Sequence, residues 1–221
     1  MAALSAKRIL AGIVVALNSA PALAVTPFPW NGFDLNGRPC SIAQTEHSYG
    51  PYDYTNPIHQ RDKLPIVEEF HFTAPVENLI RGQSGALLPD LFYTIRAFPN
   101  HHRALYALVR YQLNVGQKLN IPPECWLDRA LAFKPSDEKV YLIYGIYLHR
   151  LGKHDLALHR YKQAEKLAPN YSEVYYNMGL LYLDKGDIDH AVEYAKKAYA
   201  LNYPLPGLRH RLKERGYLVA K

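Results

Sequence analysis

The sequence predicts an all-α fold, a short superhelix of stacked helical hairpins carrying an irregular N-terminal arm. Three observations predict it. The last third of the chain repeats itself at a fixed offset of 34 residues. Apolar residues recur at helical spacing from about Thr73 onward. Prolines, and glycines such as Gly152 and Gly186, fall at the joints between those stretches.

The repeat comes first, because a missed internal period misassigns the whole fold. Sliding the chain by 34 residues lays EKVYLIYGIYLHRLGKHDLALHRYKQAEKLAP over SEVYYNMGLLYLDKGDIDHAVEYAKKAYALNY. Tyr141 then falls on Tyr175, Gly145 on Gly179, Leu148 on Tyr182, Gly152 on Gly186, Ala157 on Ala191 and Ala164 on Ala198. Gly145 and Ala157 leave room for the two helices of one hairpin to approach, and Gly179 with Ala191 repeats the arrangement. Gly152 and Gly186 suit the left-handed conformation that ends a helix. Pro169 stops the second helix of the first unit.

This pattern resembles the tetratricopeptide repeat, whose period is the same and whose small and large positions fall where these residues do. The resemblance departs in three places. A Tyr stands where the first helix usually has Trp, Ala195 replaces the bulky residue that Tyr161 provides, and the closing proline slips to Pro204. These changes predict a looser outer seam on the second unit.

Working backwards, FPNHHRALYALVRYQL matches APNYSEVYYNMGLLYL, which opens at Ala168, and WLDRALAFKPSDE matches YKQAEKLAPNYSE. The interval from Pro99 to Pro135 exceeds the period by two residues, which marks an insertion in that hairpin's turn. A half unit spans Pro89 to Phe98. At the far end LRHRLKERGYL is expected to be a capping helix, with Leu208, Leu212 and Leu218 covering the last hairpin and Arg209, Arg211, Lys213 and Arg215 wet. The resulting division is 1–24, a signal peptide; 25–72, an arm; 73–137, divergent helices; and 138–221, two repeats with a cap. About three units is near the minimum for a stable solenoid.

Residues 1–24 carry an export pattern: Lys7 and Arg8 precede the apolar run Ile9–Leu17, and Ala22-Leu23-Ala24 supplies a small-x-small cleavage site. That apolar run is too short to span a bilayer, which needs about 20 residues. Cleavage after Ala24 implies a periplasmic or secreted chain with no transmembrane helix and no lipid-bearing cysteine at its new end. It also lowers the formal charge from +6 to +4, too mild and too dispersed for a nucleic-acid partner. Cys40 and Cys125 are the two cysteines. In an oxidising compartment an even count favours one disulfide, against the alternative of two separately buried thiols.

The arm is rich in Pro, Gly, Asn and aromatics. Its Asn-Gly pairs at Asn31 and Asn36 signal turns. Phe28, Trp30, Phe33, Tyr49, Tyr52 and Tyr54 either pack on the helical body or form a platform for a partner. Beyond the arm, Thr73 is expected to cap a helix carrying Val76, Leu79 and Ile80, followed by helices near 89–98, from Ala104, and around Cys125 to Pro135.

The resemblance implies a protein–protein adaptor, expected here in the cell envelope, with the first helix of each unit lining a concave face. The expected binding strip is Arg103, Tyr106 and Arg110, then Leu142, Ile146, His149 and Arg150, then Tyr176, Asn177 and Leu180. Tyr and Arg are enriched at binding hot spots because each joins contact area to directed hydrogen bonds. The basic and asparagine set that grips C-terminal carboxylates in part of the family is matched only by Asn177. The competing reading has the arm fill this groove itself.

Enzyme readings lack a motif. His101 and His102 are adjacent, and His149, His154 and His159 are five apart, so no i, i+4 zinc pair forms. There is no CxxCH, phosphate-cradling glycine loop or nucleophile elbow. No cofactor, metal ligand or catalytic residue is therefore assigned; a set built from the arm, such as His47, Ser48 and Asp53, and a small-ligand or polymer binder remain the alternatives.

Overall fold

A computed structural model describes residues 27–45, 47–83, 85–115 and 119–219. The expected signal peptide lies outside the described residues. The chain begins with a two-stranded antiparallel hairpin, β1 (Trp30–Phe33) and β2 (Pro39–Ile42), in the register Trp30 opposite Ile42 and Phe33 opposite Pro39. Asn36-Gly37 makes its turn: the Asp34 carboxylate accepts the Asn36 and Arg38 amides at 2.8 and 2.9 Å, and Gly37 takes a φ of 74°. Asn31-Gly32 does not turn but lies within β1. A Cβ at Gly32 would overlap the Trp30 indole, so this glycine gives the ring space.

Helices start earlier than the periodicity suggests. Inside the segment expected to be irregular, α1 (Pro57–Asp62) is capped by the Asn56 side chain, and α2 (Leu64–His71) follows directly. The helix expected after Thr73 is the single turn α3 (Ala74–Glu77), ended at Leu79 with φ 61°; the Thr73 side chain makes no cap bond. Then come α4 (Leu87–Ala97), α5 (His102–Val115), α6 (Pro123–Phe133), α7 (Glu138–Arg150), α8 (His154–Leu167), α9 (Ser172–Asp184), α10 (Ile188–Ala200) and α11 (Gly207–Glu214). The pairs α5–α6, α7–α8 and α9–α10 are stacked antiparallel hairpins, with α4 leading and α11 capping.

The joints follow the sequence. Gly152 and Gly186 have φ of 71° and 78°, and the next residue's amide reaches back to Leu148 and Tyr182 respectively at 2.9 Å. Asp137 and Asp187 cap α7 and α10 through their carboxylates. A Cβ on Gly145 would overlap the Tyr161 ring, so the close approach in the first unit is between a glycine and a tyrosine.

The second unit's seam is not loose. At Gly179 the atom that a Cβ would meet first belongs to Leu208 of α11, with the Ala191 and Ala195 backbone beyond it. Leu208 thus fills the volume that Ala195 leaves and Tyr161 occupies one repeat earlier. Leu208 and Leu212 are fully buried, as expected of the cap, but Leu218 is 80% exposed and Val219 is buried instead. The helix ends at Glu214, and the turn through Gly216 carries Leu218 away from the hairpin.

The arm lies along α4–α6. Cys40 and Cys125 form a disulfide with Cα atoms 6.1 Å apart. Arg129 of α6, wholly buried, donates to the Phe28 carbonyl at 3.0 and 3.2 Å, to the Ile95 carbonyl at 2.9 Å and to the Gln44 side chain. Phe28 packs edge-on to Phe133, Tyr52 against Phe98, and Tyr54 against His101 and His102. Of the six arm aromatics Phe33 alone stands out, at 69% exposed.

Candidate functional site

The concave side is formed by α5, α7 and α9, which present successive first-helix faces. α7 sits centrally, packed against α5, α6, α8 and α9. It therefore buries residues nearly all round, including Val140, Ile143, Tyr144 and Leu148. This crowding decides which of the expected strip residues are open.

Two adjoining cavities occupy the groove. The larger, about 560 Å³, is lined by Tyr106 of α5, Ile146, His149 and Arg150 of α7, and Tyr176, Asn177 and Leu180 of α9. The smaller, about 460 Å³, lies between α5 and α7 and is lined by Tyr106, Val109, Arg110, Leu113, Asn114, Ile146 and Arg150. Tyr106, Ile146 and Arg150 belong to both, so the two are one continuous groove. The structure brings eight of the ten expected residues to it.

Arg103 and Leu142 do not line it. Arg103 donates to Glu77 at 2.8 Å and to Glu68 at 3.1 Å, and its guanidinium lies 5.3 Å from the Phe72 ring centroid. Those acids come from α2 and α3, which the sequence did not place beside α5. The Glu77 and Glu68 carboxylates hold its pKa above even the usual arginine range, burial notwithstanding. Leu142 is 3% exposed, enclosed by the neighbours of α7.

No described residue of the arm lines the groove. One wall is instead residues 203–205, which the sequence places at the end of the second repeat and not in the binding strip. Asn202 takes a φ of 59°, the left-handed turn that ends α10, and the Tyr203 amide returns to the Ala198 carbonyl at 3.1 Å. This folds Tyr203 onto Tyr176, with ring centroids 4.4 Å apart, and brings Leu205 and Arg211 to the rim. The signal for it was present in the displaced Pro204 and the small Ala195, which together call for bulk from outside the repeat.

Charges within the groove are unevenly answered. Asp184 accepts from His149 at 2.9 Å and pairs with Arg211, a bond from α7 through α9 to α11. Burial, opposed by the Asp184 carboxylate, lowers the His149 pKa. The His154 ring meets His149 edge-on at 5.6 Å. Glu173 takes a hydrogen bond from the Tyr171 hydroxyl at 3.2 Å. The Asn177 amide donates to the Glu173 carbonyl at 2.8 Å. Arg150 is exposed and has no hydrogen-bond or ion-pair partner among the described residues. Beneath it, the buried Tyr161 hydroxyl also lacks a partner among them.

Among the described residues no group of three His, Cys, Asp or Glu side chains is placed to hold a metal ion. Asp53 is engaged by Lys134, Asn100 and Thr55, while Ser48 bonds Thr45 and His47 is exposed, so the three are not drawn into one site. No described helix is long and apolar enough to cross a membrane.

Two family models match the chain: the TPR repeat at residues 145–186 and the tetratricopeptide repeat at residues 172–203. No curated protein matches. Among solved structures, a TPR protein of Thermus thermophilus is similar at 27% identity, covering 58% of this chain and 70% of that one with a TM-score of 0.48. The pilF protein of Pseudomonas aeruginosa aligns at 22% identity over 70% of this chain and 68% of its own, with a TM-score of 0.49. The type III secretion translocator chaperone SycD of Yersinia enterocolitica aligns at 18% identity over 51% and 89%, with a TM-score of 0.43. The family matches fall on α7 to α10, where the 34-residue period and the paired glycines lie. Residues 145–203 of this chain are tetratricopeptide repeats, and the stacked hairpins they belong to are a scaffold for protein–protein interaction.

Proposed function

We propose that this protein is an exported adaptor of the cell envelope, which holds a segment of a partner protein in the groove between α5, α7 and α9. The observation that carries the reading is the open groove itself. Its walls combine the half-buried Ile146 and Leu180 with Tyr106, which is 42% exposed, and with the unanswered guanidinium of Arg150. Apolar area gives affinity, and unspent donors give direction. Elsewhere on the same face Arg103 is satisfied internally, so an unanswered charge within the groove is informative. Export is supported by the amino-terminal pattern and by a disulfide, which persists in oxidising compartments and is rare in reducing ones.

A photo-crosslinker placed at Leu180, compared with one at the exposed His159 on the outer helix, tests both parts in intact cells. Capture of a specific protein from Leu180 only, abolished by Ile146→Glu with the melting temperature held within a few degrees, is the expected result. Equal capture from both positions sinks the groove reading. A purified chain that still begins at Met1, or that fractionates with the cytoplasm, sinks the envelope reading.

A further inference from the structure

The smaller cavity, between α5 and α7, differs in chemistry from the rest of the groove. Val109, Leu113, Ile146 and Tyr106 give it apolar walls; Arg110 and Arg150 give it two guanidinium groups; no carboxylate of the described residues lines it. Glu173 and Asp184, the acids of the groove, line only the larger cavity, and Asp184 is already paired with Arg211.

Arg150 is unspent, and Arg110 is spent only in part. Beside the Glu77 carboxylate that Arg103 already holds, Arg110 lies over the Tyr106 ring, 5.6 Å from its centroid, and donates through one terminal nitrogen to the Glu77 carbonyl. Its Nε is closed to solvent and has no partner among the described residues. A donor of this kind costs free energy unless something accepts from it. Arg150 stands across the cavity, likewise with no hydrogen-bond or ion-pair partner among them. Two like charges on apolar walls call for an anion between them, and a planar carboxylate matches the forked donors of a guanidinium.

We propose that this cavity is an acidic-residue subsite: it seats the side-chain carboxylate of an internal Asp or Glu of the bound segment between Arg110 and Arg150, with an adjoining apolar residue against Ile146 and Tyr106. This deepens the groove reading above and rests on it. An internal residue is specified because the cavity opens into the larger one past Ile146, so a bound segment continues beyond the subsite. Asn177, the one residue that matched the carboxylate-gripping set of the family, lines the larger cavity and not this one, and one of its amide N–H donors goes to the Glu173 carbonyl.

The test is selection of displayed random dodecapeptides on the full disulfide-bonded chain, followed by affinity measurement on an enriched peptide. Enrichment of Asp or Glu beside Leu, Ile or an aromatic is expected. Changing that acid to its amide should weaken binding to the native chain by about tenfold or more. Arg150→Gln should weaken the acidic peptide by the same factor and leave the amide peptide unchanged. Its melting temperature should not move, since Arg150 has no bond to lose. Amidating the peptide's C-terminus should change nothing. Peptides that need the groove, as judged by loss of binding to Ile146→Glu, but are indifferent to the acid-to-amide change and to Arg150→Gln overturn the subsite and leave the groove reading standing. Dependence on a free C-terminus in place of the internal acid also overturns it. No enriched peptide, or binding that survives Ile146→Glu, overturns the groove reading and the subsite together.

Discussion

Asp53 ties the arm to the helical body. Its carboxylate accepts from Lys134 at 2.6 Å, from Asn100 at 2.8 Å and from Thr55. Asn100 in turn donates to Asp137, the cap of α7. Burial alone would raise the Asp53 pKa, but the Lys134 ammonium and the Asn100 and Thr55 donors outweigh it and hold it down at about 2. A carboxylate whose folded pKa is depressed adds stability above its unfolded value near 3.8, and that contribution is lost as pH falls from there toward about 2. Denaturant titrations at pH 7, 4 and 2 should show wild type losing more stability over the acid interval than Asp53→Asn. Parallel losses would mean that other acids control the acid limb. None of these long-range contacts was legible in the sequence, because the partners stand 47 and 81 residues apart and only folding brings them together.

At the scale of elements, α11 completes the repeat that precedes it. The 34-residue comparison identifies Ala195 as the position where bulk is missing, and the spacing of the terminal segment separately names Leu208, Leu212 and Leu218 as the apolar face of a cap. It could not show that one answers the other, since a helix outside the period has no register against it. In the structure Leu208 lies over Gly179, and Tyr199 fixes the cap by donating to the Leu205 carbonyl and accepting the Arg209 amide, both at 3.0 Å. Leu208→Ala should therefore cost about 2–5 kcal/mol, the range for a large core residue truncated to alanine, read as a shift in the urea midpoint. A loss well below about 1 kcal/mol would show that α11 is peripheral to the last hairpin. The boundaries of α4 to α10 were legible because prolines and glycines mark them. Those of α1 and α2 were not, because their prolines lie in the first turn, where they start helices, and were read as loop.

Across the whole molecule, the disulfide and the groove are separate features. Cys40–Cys125 joins the arm to α6, across a sequence separation of 85, whereas the groove is made by α5, α7 and α9 and walled by the chain beyond α10. Closing a loop of that length restricts the unfolded chain by about 4–5 kcal/mol in the entropic account. The paired Cys40→Ser and Cys125→Ser variant should lose stability of that order by denaturant titration. Arg129 still holds the arm through the Phe28 carbonyl and the Gln44 side chain, so peptide binding in the groove should persist at a temperature where the variant is folded. Loss of binding without unfolding would show instead that the arm shapes the groove.

The amino-acid sequence alone specifies the hairpins and their joints, and it names the face proposed for a partner. Those depend on local periodicity and on residues such as Gly152 and Gly186 whose backbone preference acts in place. The tertiary structure decided which of the face residues are available. Arg103 is consumed by acids from α2 and α3, and Leu142 is enclosed because α7 is central. Arg150 is left open, and the C-terminal segment closes a wall that no described residue of the arm reaches. Availability depends on which distant side chains arrive at the same donor or the same volume, and that is fixed only when the helices pack.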